Sequence, residues 1–371
     1  MPAINVLIKP ASSMCNMSCG YCFYCDEAKK RSQKSFGFMT EQTLKNVIRK
    51  TLLRADKMIS YAFQGGEPTL RGLEFFEKAV AYQKQYNKNN IQIHNALQTN
   101  GYALDENWCL FFKKNHFLIG LSVDGTKEIH NSMRHTLNRE NTFDRIEYAA
   151  YLMDKYDVDY NILTVVTPAV AKHIDGIYQD YKKRGWNYQQ YIACLDPLNE
   201  EHLQTPYSLS PDIYGTFLIH LFNLWYEDVL KGQAPYIRQF ENYIGLAAGY
   251  LAEACDQRGH CGIQNVVEAD GSVYPCDFYM LDEYKLGNFN KDRLDAIDKR
   301  RVEIGFVERS FKLDNACSTC NYFRLCRGGC QRNRDWNSKT ELYENYFCKS
   351  YRMFFDSCSE QIYELARRLH L

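Results

Sequence analysis

The chain has no surplus of charge: 45 Lys and Arg stand against 45 Asp and Glu, for a formal net charge of +0. That balance gives no cause to expect a nucleic acid or an acidic membrane surface as partner. No apolar run is long enough to span a bilayer. The opening MPAINVLIKPASSMC lacks the basic stretch and long apolar segment of a secretory signal. There is no low-complexity segment and no repeat of fixed period. Hydrophobic residues at 45% and charged residues at 24% are ordinary for a soluble globular protein. The expected location is the cytoplasm, with neither nucleic acid nor membrane as partner.

What the chain does have is cysteine, 15 in all. An odd count without a secretory signal argues against a disulfide framework. In a reducing cytosol, clustered thiols are more often metal ligands. Cys15, Cys19 and Cys22 lie on one short stretch, with Tyr21 just before the third. Three thiolates there can hold three corners of a [4Fe–4S] cube and leave the fourth iron open. A fully ligated cluster takes four cysteines, so a trio implies a fourth ligand elsewhere or an iron left open to bind a small molecule. A zinc knuckle is the alternative, but zinc favours paired Cys-x2-Cys and four closed ligands.

At 371 residues there is room for one large barrel-like domain and a smaller unit. Strand-like runs fall at 4–8, 58–63, 91–97, 117–123, 160–166 and 190–194. Segments of helical period lie between them at 40–55, 73–86, 107–114, 143–155 and 174–184. Repeated strand–helix units mean a parallel sheet with right-handed crossovers. Six units fall short of the eight in a closed barrel, so the expected fold is α/β, a partial (β/α)6 TIM barrel over 1–235. Chemistry in such sheets gathers at the carboxyl ends of strands, and Cys15 follows the first strand there. The pattern is helical over 210–251, with a break at 232–235. A hairpin follows at 266–274, turning at Asp270–Gly271, then a Cys-rich stretch and a tail helix over 346–371. The second domain is expected over 236–371.

The spacing of Cys15, Cys19 and Cys22, with Tyr21 between, resembles the cluster loop of radical S-adenosylmethionine (SAM) enzymes. Gln64-Gly65-Gly66-Glu67-Pro68 ends the second strand. Its glycines can let the backbone approach a ligand closely, and Glu67 offers a carboxylate to an ammonium. By itself the sequence is an ordinary strand-end turn; in the family, Gly65, Gly66 and Glu67 correspond to the turn that holds the amino group of SAM. Gln98-Thr99-Asn100-Gly101 is another familiar stretch of these enzymes. Ser122 and Asp124 end the fourth strand, where they can bond ribose hydroxyls, though Asp-Gly is also a common turn. The resemblance implies Arg134 as partner of the SAM carboxylate and Leu195 as the position that meets the adenine. Relatives often show Pro and Asp where Thr126 and Asn131 stand, which weakens any role for His130. Cys25 breaks the family spacing and is read as a non-ligand. The cofactors supply the reactive chemistry, and the protein supplies aim and exclusion of solvent.

A second set, Cys261, Cys276, Cys317, Cys320, Cys326, Cys330 and Cys348, with Gly271 on a turn, resembles the seven-cysteine signature of SPASM domains, which carry auxiliary Fe–S clusters. Cys255 adds an eighth thiolate, and eight can ligate two [4Fe–4S] clusters. The resemblance implies Cys255, Cys261, Cys276 and Cys330 for the first and Cys317, Cys320, Cys326 and Cys348 for the second, three [4Fe–4S] clusters in all. A pair of zinc ribbons is the alternative. Cys109, Cys194 and Cys358 read as buried small hydrophobes.

The whole chain resembles the anaerobic sulfatase-maturating enzymes, which oxidise a sulfatase Cys or Ser to Cα-formylglycine (3-oxoalanine). The resemblance implies a β-hydrogen taken by a 5′-deoxyadenosyl radical and a base for the thiol or hydroxyl proton. It implies an electron passed on, for which an auxiliary cluster is a plausible acceptor. It points to Asp277, beside Cys276, as that base; the residues alone leave a turn or backbone-bonding role equally open. Tyr24 and Gln64 follow strand ends and are expected to face the substrate cavity, with packing or turn residues as the alternative. The implied partners are a sulfatase polypeptide with a Cys-x-Pro-x-Arg motif and an electron donor such as a flavodoxin or ferredoxin. A thioether-forming or other peptide maturase is the alternative within the superfamily, and a non-catalytic zinc or Fe–S module the alternative outside it.

Overall fold

Apolar and β-branched runs become strands, and the amphipathic segments between them become helices. In the computed structural model, which describes residues 4–369, the alternating portion carries strands β1 (Ile4–Ile8), β2 (Met58–Phe63), β3 (Gln92–Thr99), β4 (Phe117–Ser122), β5 (Tyr160–Val166) and β6 (Tyr188–Ala193). Helices Glu41–Leu52, Leu73–Tyr86, Glu106–Lys114, Phe143–Lys155 and Ile174–Lys183 lie between or after them. Then come β7 (Tyr236–Ile237), the hairpin of β8 (Asn265–Val267) and β9 (Ser272–Tyr274), and β10 (Gly287–Asn288). The fold is α/β, with the parallel strand–helix order of a partial barrel followed by a cysteine-rich portion.

Contacts divide the chain into two compact units that interleave along the sequence. One comprises Met1–Ser122, Asn131–Tyr160 and Ile263–Gly305; the other comprises Val123–His130, Asn161–Gly262 and Phe306–Leu371.

In the first unit the strand order is β10-β9-β8-β1-β2-β3-β4. β1 to β4 run parallel, with Leu7 opposite Ala62 and Ala62 opposite Ala96. β8 joins the free side of β1 in parallel, Val6 opposite Asn265, and β9 returns antiparallel. The hairpin turns at Gly271, whose φ of 87° favours glycine. This register brings the chain after β9, which carries Cys276 and Asp277, to the strand whose end carries Cys15.

Alternation along β2 buries Ile59, Tyr61 and Phe63. Helix Glu41–Leu52 answers with Leu44, Val47, Ile48 and Thr51, a helical stripe. Its start is fixed by the Thr40 hydroxyl, which accepts from the Thr43 N–H at 3.1 Å. Phe63 meets Phe76 edge-on at 5.1 Å, and Phe76 meets Trp108 at 5.3 Å. Each such side chain contributes about 1.5–3 kcal/mol by burial.

In the second unit β5, β6 and β7 are parallel neighbours. The expected helical stretch over 210–251 forms Pro211–Leu230 and Arg238–Ala247. The break includes Gly232 at φ 68° and Pro235, whose carbonyl accepts from the buried Trp225 indole at 2.8 Å. The tail helix expected over 346–371 is Cys348–Arg368; residues 370–371 lie outside the described residues. It packs so tightly on Pro211–Leu230 that a Cβ on Gly215 would stand 2.9 Å from the Met353 sulfur. The Ser350 hydroxyl also donates to the Pro211 carbonyl at 2.6 Å. These contacts fix the helix start, and with it Cys348. Among the described residues no helix is long and apolar enough to cross a membrane.

Candidate active site

The cluster loop leaves β1 at Lys9 and is held on two sides. On one side the Ser18 and Gly20 N–H groups donate to the carbonyls of His135 and Met133 at 2.8 and 2.9 Å. On the other, the Glu67 N–H donates to the Met14 carbonyl at 2.8 Å. Gly66, at φ 58°, packs directly on this loop: a Cβ there would lie 2.2 Å from the Met14 carbonyl oxygen and 2.9 Å from that of Ser12. The glycine is therefore required by the chain's own cluster loop, before any ligand is considered.

Glu67 is buried and turned inward. Its Oε1 accepts from the Thr69 N–H at 3.0 Å, the Thr69 hydroxyl at 2.7 Å and the Thr99 hydroxyl at 2.7 Å. Oε2 accepts from the Asn100 N–H at 2.8 Å. Three donors fill Oε1, while Oε2 keeps capacity for one more. Burial raises the Glu67 pKa, against the pull of these hydrogen bonds. Asn100 reaches the cluster loop as well: its amide donates to Asn16 Oδ1 at 2.8 Å and lies 3.7 Å from the Cys15 sulfur. Thr99 and Asn100, singled out in the sequence only as part of a familiar stretch, thus tie the Glu67 turn to the loop.

Cys15, Cys19 and Cys22 are unbridged thiols on this loop. Burial, then the nearby Glu67 charge, pushes Cys15 up to about 12. The Met17 N–H points at its sulfur from 3.4 Å. The exposed Cys25 hydrogen-bonds Cys22 and holds it below the usual thiol range. Arg134 is buried; its guanidinium lies 3.9 Å from the Cys19 sulfur and stacks over the Tyr21 ring at 5.5 Å. Three unbridged thiols with an amide donor and a guanidinium beside them suit an iron–sulfur cluster, whose thiolates carry negative charge that such donors stabilise. Ser122 is buried at the end of β4.

Asp277 follows Cys276, whose thiol lies 3.7 Å from its Oδ1. Its Oδ2 takes the Tyr24 hydroxyl at 3.4 Å and the Gln64 amide at 3.3 Å; that amide also donates to the Tyr24 oxygen at 2.9 Å. The three residues come from the helix after the cluster loop, the end of β2 and the chain after β9. Burial raises the Asp277 pKa above the ordinary aspartate range. Tyr24 and Gln64 both use Oδ2, while the Cys276 thiol lies against Oδ1.

In the second unit the Asp124 Oδ1 accepts from the Val165 N–H at 2.9 Å, and its own N–H donates to His130 Nδ1 at 3.2 Å. His130 is fully buried and braces the turn. Leu195 is half-buried just past β6. Cys317, Cys320, Cys326 and Cys348 line one pocket, which brings together the four thiols expected for one cluster. Cys255, Cys261 and Cys330 lie close enough that the charge of each neighbour raises the Cys330 thiol, after burial. Cys276, the remaining member of that predicted set, belongs to the first unit.

Arg334, which nothing in the sequence singled out, stitches these loops together. Its buried guanidinium donates to the carbonyls of Gly328 at 3.0 Å, Ser310 at 2.6 Å and Gly259 at 3.0 Å. The Ser310 hydroxyl in turn receives the Cys261 N–H at 2.9 Å. Cys109, Cys194 and Cys358 are buried, as expected of packing residues.

The sequence pattern of the radical SAM superfamily matches residues 10–180, and that of the SPASM iron–sulfur cluster-binding domain matches 260–321. The chain is 44% identical over 369 residues to a cysteine-type anaerobic sulfatase-maturating enzyme of Clostridium perfringens, covering 100% of each. It is 29% identical to a serine-type enzyme of Bacteroides thetaiotaomicron, covering 95% of this chain and 88% of that one. The crystal structure of native anSMEcpe with bound AdoMet and Cp18Cys peptide superposes with a TM-score of 0.94 at 44% identity, covering 99% of this chain and 100% of the other.

Proposed function

The chain belongs to the anaerobic sulfatase-maturating enzymes of the radical SAM superfamily, and we propose that it oxidises a cysteine side chain of a sulfatase polypeptide to Cα-formylglycine. The observation that carries this reading is the Tyr24–Gln64–Asp277 group: a hydrogen-bonded, half-buried carboxylate in the same compact unit as the three-thiol loop. The preference for cysteine over serine follows the higher identity to the cysteine-type relative.

Cys15, Cys19 and Cys22 would hold the [4Fe–4S] cluster of the radical site. Bound there, cluster and SAM supply reductive cleavage of the sulfonium and a hydrogen-abstracting 5′-deoxyadenosyl radical. Gly66 and Glu67 shape the turn beside that loop, and the remaining capacity of Glu67 Oε2 suits the SAM ammonium. Arg134, stacked on Tyr21, presents a cation for the SAM carboxylate, and Gly65 and Ser122 belong to the same unit. Asp277 takes the proton of the substrate thiol, while Tyr24 and Gln64 hold its Oδ2 and so aim the carboxylate. A base poised by burial above the ordinary aspartate range accepts that proton more readily. The eight further thiolates, Cys255, Cys261, Cys276, Cys317, Cys320, Cys326, Cys330 and Cys348, would hold two auxiliary clusters.

A flavodoxin or ferredoxin as electron source, and a cytoplasmic location, complete the proposal. The test is anaerobic reconstitution followed by SAM, a reductant and a Cys-x-Pro-x-Arg peptide. Conversion of the thiol to an aldehyde, with 5′-deoxyadenosine released, supports the reading; SAM cleavage that leaves the peptide unchanged overturns it.

A further inference from the structure

Lys9 is a lysine with almost no access to water: 2% of its surface is exposed. It sits just past β1, where barrel chemistry gathers. Its side chain runs under the β2 end so closely that a Cβ on Gly65 would lie 2.5 Å from Lys9 Cε. The ammonium lies 4.5 Å from the centre of the Tyr24 ring, 3.3 Å from the Met280 sulfur and 3.5 Å from Glu268 Oε2. Glu268 is already held more tightly by the buried Arg31, at 2.8 Å. An ammonium offers three donors, and here they meet an aromatic face, a thioether and the Glu268 carboxylate, while the charge also reaches Glu27 and Asp277.

A buried charge is unfavourable unless it is paired, and the ion-pair partner here, Glu268, is shared with Arg31. What the ammonium does hold is the ring of Tyr24, the residue whose hydroxyl donates to Asp277. A cation over an aromatic face fixes the ring plane, and the interaction strengthens when water is excluded. The backbone of Lys9 also donates to the Val267 carbonyl at 2.8 Å, anchoring the same residue to the hairpin that leads to Asp277.

We propose that Lys9 is a positioning residue for substrate oxidation: its ammonium holds the Tyr24 ring, and through the phenol the Asp277 carboxylate, in one orientation. The role rests on the formylglycine reading above. Lys9 touches neither substrate nor cofactor in this account, so its loss should uncouple the reaction rather than stop SAM cleavage.

The test uses full-length, reconstituted holoenzyme with Lys9→Met, whose straight apolar chain fits the same channel. Iron content, 5′-deoxyadenosine and peptide aldehyde are measured together. The expected result is wild-type iron, near wild-type 5′-deoxyadenosine, and aldehyde per 5′-deoxyadenosine lower by about ten- to a hundredfold, the scale of a slightly misplaced catalytic group. In a Tyr24→Leu background, Lys9→Met should add no further loss, because the two act through one contact. A wild-type ratio in Lys9→Met, or a full additional loss in the Tyr24→Leu background, overturns the proposal. If Lys9→Met fails to take up iron, Lys9→Gln is read the same way; iron loss in both makes Lys9 a folding residue and overturns it too. Wild-type enzyme that releases 5′-deoxyadenosine without aldehyde defeats the formylglycine reading itself, an outcome distinct from all of these.

Discussion

The Tyr24 hydroxyl lies 3.4 Å from Asp277 Oδ2 across a sequence separation of 253 residues. The contact exists because β8 pairs with β1, which carries the chain after the hairpin to the chain after the first strand. It joins the loop that would hold the radical-generating cluster to the carboxylate assigned as base.

Replacing Asp277 with Asn should leave iron content and SAM binding intact and lower aldehyde formation by about 10²–10⁴-fold, the usual contribution of a general base. The carboxamide cannot take the thiol proton, although Tyr24 and Gln64 can still bond its oxygen. Parallel assays of 5′-deoxyadenosine and aldehyde check it; normal aldehyde output would remove Asp277 from the role.

Gly66→Ala should displace the cluster loop, since the new methyl would meet the Met14 carbonyl oxygen at 2.2 Å in a backbone of φ 58°. Reduced iron uptake after reconstitution and loss of SAM cleavage are expected together. An Ala variant with a wild-type cluster spectrum would show that the loop yields without consequence.

Arg334→Met should strip iron from the cysteine-rich portion, because one guanidinium serves carbonyls of Gly259, Ser310 and Gly328. Iron per chain should fall by at least one cluster, about four atoms. Unchanged iron would show that the thiol loops hold their shape alone.

Glu27 gives a prediction in pH. It is buried, its Oε2 has no hydrogen-bond partner, and burial lifts its pKa from 4.5 to about 8. The folded state therefore keeps a proton that the unfolded chain gives up near 4.5. Its contribution to stability is full below that value and is lost as pH rises through about 8. Glu27→Gln, which mimics the protonated acid, should raise Tm relative to wild type more at pH 8 than at pH 5. An equal shift at both pH values would contradict the assignment.

Much of the scaffold was legible because its strands are runs of β-branched and apolar residues between amphipathic helices. Met58–Phe63 and Leu73–Tyr86 fall where the pattern puts them. Asp277 was legible only through its neighbour Cys276 and a family resemblance. Lys9 was not, because a lysine before a proline reads as an exposed strand end; the hairpin docked on β1, the Gly65 turn and the Tyr24 ring together bury it. Glu27 sits in the polar run Asp26-Glu27-Ala28-Lys29-Lys30, which reads as a solvated helix face, and a distant segment covers it. Arg334 bonds backbone carbonyls from separate loops, a pattern that leaves no mark on residue type.

The most direct test of the central claim is a single anaerobic assay of the reconstituted wild-type protein with SAM, a strong reductant and a cysteine-bearing sulfatase peptide, read by mass spectrometry. The account predicts that thiol becomes aldehyde while 5′-deoxyadenosine accumulates, and that Cys15→Ala abolishes both. Intact SAM beside a fully iron-loaded protein, or 5′-deoxyadenosine without any change in the peptide, would contradict it.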